Sequence, residues 1–237
     1  MKKMMLLSIL FCLLLAFAQD GFAQNKKTEP LGLYIGLIGG SSLPDDMRTR
    51  SEDISDLSLH ANTDTVMKPG YLLGVKAGWQ TFFTKKILAV ELEYNHLNSR
   101  MEKWTKLNGI EQETGIPVDG KVGIHLFMAN LLARYPGGIV HPYIGAGAGY
   151  AIFKLSDMTA YNETSVIRIT GGTQGVAAYQ LMAGVDFDAW KNVVIGLGYK
   201  FVYVPNLSFD NTRAGRPVQT ELDYGAHNFL LSVCLTF

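Results

Sequence analysis

The stretch His227-Asn228-Phe229-Leu230-Leu231-Ser232-Val233-Cys234-Leu235-Thr236-Phe237 decides the fold. Its odd positions from Phe229 onward, Leu231, Val233, Leu235 and Phe237, are all apolar. Its even positions, Asn228, Leu230, Ser232, Cys234 and Thr236, are small or polar with one leucine. Successive side chains on a strand point to opposite faces, so this period of two marks a strand lying between unlike environments. The pattern recurs upstream. Val193, Ile195, Leu197, Tyr199, Phe201 and Tyr203 oppose Val194, Gly196, Gly198, Lys200 and Val202. Tyr179, Leu181, Ala183, Val185 and Phe187 oppose Gln180, Met182, Gly184 and Asp186.

Earlier segments behave alike. Phe127, Ala129, Leu131, Ala133 and Tyr135 oppose Met128, Asn130, Leu132 and Arg134. Leu88, Val90, Leu92 and Tyr94 oppose Ala89, Glu91, Glu93 and Asn95, and Tyr71 to Trp79 sets Leu73, Val75 and Ala77 against Leu72, Gly74, Lys76 and Gly78. Leu31–Ser41 and Pro142–Phe153 follow less cleanly, which brings the expected strands to eight. Their connections alternate in length. Short links lie near Thr81–Lys86, Pro136–Pro142 and Asp188–Asn192, and long polar links near Pro44–Pro69, Met101–Gly120, Leu155–Gln174 and Pro205–Asp223. Short turns at one end and long loops at the other is the pattern of outer-membrane barrels, whose short turns lie in the periplasm. An even strand number puts both termini on that side.

A soluble barrel would point its apolar faces inward, so bulk has to decide. An eight-stranded barrel has an interior just wide enough for side chains to fill. The continuous apolar faces carry too many Leu, Ile, Phe and Tyr residues for that lumen, whereas the opposite faces hold Gly74, Gly78, Gly145, Gly147, Gly149, Gly184, Gly196 and Gly198. Small residues suit a crowded interior, and the broad faces therefore meet lipid. Tyr71, Tyr203 and Tyr224 near the long-loop ends, and Trp79, Tyr135, Trp190 and Phe237 near the short-turn ends, read as interface aromatics at the two membrane surfaces. Ordinary strand propensity, which also favours aromatics, is the competing explanation.

The N-terminus fits export. Lys2 and Lys3 precede an apolar run from Met4 to Ala18, and Gly21 and Ala23 suit a cleavage site before Gln24, with Ala16-Phe17-Ala18 offering a second one. The run is short for a membrane helix, which needs about 20 apolar residues. The chain divides into a signal peptide (1–23), a short linker (24–30) and a barrel (31–237). It has 21 basic and 21 acidic residues, and loss of Lys2, Lys3 and Asp20 leaves 19 against 20. No strong field points to nucleic acid. Cys234 alone remains after cleavage, so no intrachain disulfide forms.

Pro142-Tyr143-Ile144-Gly145-Ala146-Gly147-Ala148-Gly149-Tyr150, the strand Gly196-Leu197-Gly198-Tyr199-Lys200-Phe201 and the terminal strand ending in Phe237 resemble the OmpA-like and OmpX-like small outer-membrane barrels, in particular the "porin family" barrels of Bacteroidota. The resemblance implies an all-β, eight-stranded antiparallel up-and-down transmembrane barrel in the outer membrane of a Gram-negative bacterium. It implies contact with outer-membrane lipid and lipopolysaccharide, and recognition of the C-terminal strand by the assembly machinery. It implies an architecture rather than an activity.

Few residues offer chemistry. Lys76, Glu91, Glu93, Arg134 and Lys200 face the lumen as an expected ion-pair network, with Arg134 and Lys200 able to pair with Glu91 and Glu93 and Lys76 joining them. Such a network is either a gate in a narrow pore or a plug, and the lumen's width favours the plug. A lipid hydrolase would pair a His with a Ser, but His96 and Ser99 fall on opposite faces of a strand. His227 and Asp223 share a face without an evident nucleophile, and His125 reads as a strand-end residue. Asp45, Asp46, Glu52, Asp53, Asp56 and Asp64 make the first loop acidic, without the spacing of a calcium loop. Trp104, Ile110 and Tyr161 are contact residues or cover the mouth. No catalytic, cofactor or metal site is expected. The function read here is non-enzymatic, an envelope-structural or surface-interaction role carried by loops for an unidentified partner. A narrow pore, a PorT-like secretion accessory barrel and, last, a lipid-modifying enzyme are the alternatives.

Two measurements check this reading. Intact mass of the purified protein is expected to begin at Gln24, or at Gln19 for the second site. Membrane fractions should contain a species whose gel migration changes on boiling, and recovery as a soluble periplasmic monomer would sink the barrel assignment.

Overall fold

The structure is a computed structural model that describes residues 32–53, 60–81, 84, 86–107, 110–162, 165–169, 171–213 and 216–237. The expected signal peptide and linker lie outside the described residues. Twelve strands follow in order: β1 (Leu33–Pro44), β2 (Met47–Asp53), β3 (His60–Gln80), β4 (Leu88–Leu107), β5 (Ile110–Asp119) and β6 (Lys121–Arg134), then β7 (Val140–Leu155), β8 (Met158–Asn162), β9 (Ser165–Ile169), β10 (Gly172–Trp190), β11 (Val193–Arg213) and β12 (Arg216–Thr236).

Eight of these form a closed antiparallel ring, β1–β3–β4–β6–β7–β10–β11–β12 and back to β1. The closing pair sets Leu37 opposite Val233 and Gly39 opposite Leu231, so the sheet has no free edge there. Each stave contains one of the alternating segments. The long links differ from the expected polar loops. They continue the sheet: β2 pairs with both β12 and β3, β5 with β4 and β8, and β8 with β9. β11 and β12 stay paired out to Arg213 and Arg216. Extended pairing satisfies the backbone of these links more fully than irregular coil would.

The faces separate by size. Leu73, Val75, Leu92, Phe127, Leu131, Leu181, Leu197 and Leu231 are exposed on the outside, and their neighbours in sequence turn inward. Inside, close contact explains the glycines. A Cβ at Gly147 would collide with the amide oxygen of Asn130, and one at Gly78 with the Tyr34 ring. Gly123 faces outward on β6 with open space around its Cβ position.

The interior changes character along the barrel axis, so the glycine-rich, charge-dotted lumen expected from the sequence describes only part of it. Near the short turns and through the middle it holds Lys76, Glu91, Glu93, Asn95, Asn130, Gln180 and Lys200. Toward the loops it becomes an apolar core of Leu72, Leu97, Trp104, Ile124, Leu126, Phe153, Val202, Val204, Leu207, Phe209, Leu222 and Tyr224. On the same staves the outward positions become polar: Lys68, Arg100, Lys121 and Lys154 are exposed. The alternation thus inverts its polarity part-way along the strands. The band with apolar outer faces suits hydrocarbon, and the loop-side tier is built like a soluble barrel, apolar inside and polar outside.

The glycine contacts generate a paired prediction. Gly147→Ala should cost about 1–3 kcal/mol through overpacking against Asn130, read as a lower urea midpoint for the detergent-folded barrel. Gly123→Ala should leave that midpoint unchanged. Equal midpoints for both variants would contradict the packed lumen.

Candidate functional site

The lumen is the first candidate, because it gathers most of the expected charged residues. On β4, Glu91 and Glu93 point inward two residues apart. Lys76 sits directly opposite Glu93 in the β3–β4 register, yet its Nζ lies 3.3 Å from Glu91 Oε2. Tyr34 on β1 donates its hydroxyl to the same oxygen at 2.9 Å. That diagonal pairing leaves Glu93 to a cation from elsewhere. Lys200 reaches it from β11, with Nζ 2.6 Å from Glu93 Oε2. β4 and β11 are diametrically opposite in the ring, so this ion pair crosses the lumen.

Amides fill the remaining valences. Gln180 on β10 donates through Nε2 to Glu93 Oε2 at 2.9 Å and to Asn130 Oδ1 at 2.6 Å. Asn95 donates to Glu93 Oε2 at 3.1 Å, and Asn130 on β6 to Glu91 Oε1 at 3.4 Å. Glu91 is 1 % exposed, and the Lys200 side chain 3 %. Charges so buried are stable only when paired and hydrogen-bonded, which is what the amides supply.

Arg134 does not join this group, which corrects the expected pairing with Glu91 or Glu93. Its Nε lies 3.3 Å from Asp186 Oδ2 on β10, and its Nη2 4.0 Å from Asp188 Oδ1. His141 completes the cluster, with Nε2 2.9 Å from Asp188 Oδ2 and Nδ1 3.0 Å from the Tyr135 carbonyl. Position explains the difference. Arg134 is the last residue of β6, level with Tyr143, so its guanidinium meets the carboxylates of the short-turn end. Asp186 and His141 were missed because each reads, alone, as a strand-end polar residue.

Little space remains between these layers. One cavity of about 30 Å³ lies among Tyr34, Lys76, Glu91, Arg134, Tyr143 and Asp186. A second of about 20 Å³ lies beside Glu93, Met182 and Lys200. Each has room for about one water. Above them the apolar core closes the loop-side tier.

The outer face carries the aromatics. Tyr71, Trp79, Tyr135, Trp190, Tyr203 and Phe237 are all exposed, Trp190 at 69 %. Tyr224 departs from the expected placement. It is 1 % exposed and packs edge-on against Phe153 inside the loop-side core. Trp104 is likewise buried within that core, covering the mouth rather than offering a contact; the side chains of Ile110 and Tyr161 lie outside the described residues.

The candidates for hydrolytic chemistry stay apart. His96 faces outward, its ring tilted against that of His125 with centroids 4.7 Å apart, whereas Ser99 is buried inside. His125 is mid-strand rather than at a strand end, and its Nδ1 is 2.8 Å from the Tyr94 hydroxyl. His227 is held by the Tyr199 hydroxyl at 2.6 Å and by Asp45 at 3.2 Å. Asp223 accepts from the Asn206 amide and the Tyr203 hydroxyl instead. Among the described residues no group of three or more His, Cys, Asp or Glu is placed to hold a metal ion.

Comparison with known proteins agrees with this geometry. A search of curated protein sequences finds no match. Among solved structures, the chain resembles the outer membrane protein OprG of Pseudomonas aeruginosa, with a TM-score of 0.53, 13 % identity and coverage of 87 % of this chain and 97 % of that one. Neisserial surface protein A gives a TM-score of 0.44 at 15 % identity, covering 87 % of this chain and 97 % of that chain. The outer membrane protease OmpT of Escherichia coli gives 0.46 at 8 % identity, over 90 % of this chain and 99 % of that one. At 13 % identity the likeness to OprG is one of fold alone. The family model for the outer membrane protein beta-barrel domain matches residues 9–237, which include every stave of the ring described above, and the chain therefore belongs to the outer-membrane β-barrel family.

Proposed function

We propose that this barrel is a non-enzymatic, non-conducting protein of the Gram-negative outer membrane that acts through its loop side, in surface interaction or envelope structure. The observation that carries the reading is the doubly closed lumen. A cross-lumen ion pair seals the membrane tier, and an apolar core seals the tier beyond it. A gated pore needs a water path that a modest movement could open. Here the path would require charges to separate and a hydrophobic core to part. The termini are assigned to the periplasm, because short turns face that side in this architecture. The loop side then stands at the cell surface, where β2, β5, β8 and β9 extend the sheet.

Extended pairing also suits a binding role. Loops positioned by a rigid scaffold lose less conformational entropy on binding than free coil does. An envelope-structural barrel, an adhesion barrel and a secretion accessory barrel would all use such a platform.

The wild-type barrel is expected to be silent in planar bilayers. Discrete conductance steps that fall on Glu93→Ala or Arg134→Ala would overturn the closed-lumen reading. Crosslinking from intact cells should capture partners through the loop side. A partner joined only to the short-turn side would contradict surface interaction. Lys200→Met should destabilise the detergent-folded barrel by about 3–5 kcal/mol by stranding Glu93, and Lys200→Met with Glu93→Leu should regain most of that. An unaltered unfolding midpoint in the single variant would show that the pair is not the seal.

A further inference from the structure

Two histidines meet on the outer face of the barrel, and neither the lumen nor the loop side uses them. His96 on β4 stands directly opposite His125 on β6 in the sheet register, and both are partly exposed. Their ring centres lie 4.7 Å apart, with the planes tilted by 35°. Two imidazoles that share one tetrahedral zinc ion, each at about 2.0–2.1 Å, hold their ring centres roughly 5 Å apart. The pair therefore already has close to the spacing of a chelate.

Hydrogen bonding points the same way. The Tyr94 hydroxyl lies 2.8 Å from His125 Nδ1. A metal-binding histidine gives its other ring N–H to an oxygen, which fixes the tautomer and turns the remaining lone pair to the ion. Donation from His125 Nδ1–H to the Tyr94 oxygen leaves the Nε2 lone pair free for that purpose. His96 differs from its neighbour. Its Nδ1 is shielded from solvent and, among the described residues, has no hydrogen-bond partner. A shielded polar atom without a partner carries a cost that coordination removes.

The surroundings select the kind of ion. The level row across β3, β4, β6 and β7 reads Leu73, His96, His125 and Ile152, and the next row toward the loops reads Tyr71, Asn98, Gly123 and Lys154. The row on the membrane side is Val75, Tyr94, Phe127 and Tyr150. None of the three rows contains an Asp or Glu. Calcium and magnesium take oxygen ligands, chiefly carboxylates, whereas imidazole suits zinc, copper and nickel. Lys154 repels any cation, so affinity has to come from lone-pair coordination rather than from charge. Room for further ligands exists beside the pair. A Cβ at Gly123 would meet nothing within 4 Å, and Asn98 stands opposite that position.

We infer that His96 and His125 form a two-histidine site for a divalent transition-metal ion of the zinc, copper and nickel class. The Asn98 carbonyl and water complete the coordination in the space over Gly123. Among the described residues no larger set of His, Cys, Asp or Glu gathers to hold a metal, so this is a site of modest affinity. The ion ties β4 to β6 at the level where the outward apolar band ends, below the β5 extension that joins them. Metal binding here is independent of the loop-side role proposed above.

Calorimetric titration of the untagged, detergent-folded barrel with zinc chloride tests the site. Wild-type protein should bind zinc, and His96→Gln/His125→Gln should weaken that binding by about 100-fold or more, with Tyr94→Phe weakening it by about 10-fold. Lys154→Gln should tighten it by about 2–5-fold at low salt, where the like charge is least screened. His227, which lies against Asp45, is the competing ligand, and His227→Gln should bind as wild type does. With copper(II) as a second probe, the paramagnetic resonance spectrum of the wild type should report two imidazole nitrogens. Equal zinc affinity in wild type and the double variant would overturn the inference. So would loss of binding in His227→Gln instead, or competition by magnesium chloride at equal concentration, which would mark a carboxylate site. Heat-modifiable migration verifies folding, and His96→Gln and His125→Gln singly give milder variants with the same expected direction.

Discussion

Closure of the sheet between β1 and β12 is the constraint on which the rest of the structure depends. In hydrocarbon no water satisfies a free backbone N–H or C=O, so a spanning sheet must pair its last strand with its first. The pairing of Leu33–Pro44 with the C-terminal strand meets that demand. Closure at eight staves then fixes a lumen barely wider than two facing side chains. The glycines follow from this width. Asn130 can cross toward Gln180 because Gly147 leaves its side chain room, and Tyr34 can lie against β3 because residue 78 has no Cβ. Backbone satisfaction, barrel diameter and glycine placement are thus one argument.

The same closed tube passes through two solvents. In the apolar band the outside carries leucine and the inside carries polar groups. Beyond it the surroundings are aqueous, and the hydrophobic effect asks for the reverse arrangement. β6 makes the exchange within one step. Val122, Ile124 and Leu126 point inward, and Phe127, Ala129 and Leu131 point outward. β3 does it at Leu72 and Leu73, and β11 between Phe201 and Val202. The strand never breaks; only the face that carries the hydrophobe changes. These exchange points place the loop-side boundary of the membrane more sharply than the aromatics do, since Tyr224 is an aromatic near that level that proved to be interior.

Much of this was legible in the sequence, and the failures are instructive. The strands were readable because each alternation is long and its bulky face unambiguous, as in Phe229 to Phe237. The lumen charges were readable as a set because each sits on the small-residue face. Their partners were not. Pairing depends on stagger between staves distant in sequence, so nothing local could say that Arg134 meets Asp186 while Lys200 meets Glu93. The loop-side tier was misread for a different reason. Pairs such as Leu126-Phe127 look like lapses in the alternation when one solvent is assumed throughout, but they are its phase change. By alternation alone Trp104 therefore falls in a loop, although β4 runs on to Leu107.

Why the membrane tier keeps buried charges at all follows from register. A wholly apolar lumen of matched volume would often be at least as stable as an ion-paired one. It would also make the two faces of each strand alike, and a one-residue slip moves every side chain to the opposite face. With Lys200 and Glu93 in place, such a slip on β11 or β4 would send a charge into hydrocarbon, at a cost of several kcal/mol at the midplane. The ion pair also joins diametrically opposite staves, β4 and β11, that make no backbone contact with each other. Its contribution is therefore better understood as selecting one ring, with one stagger, from the alternatives that alternation alone permits.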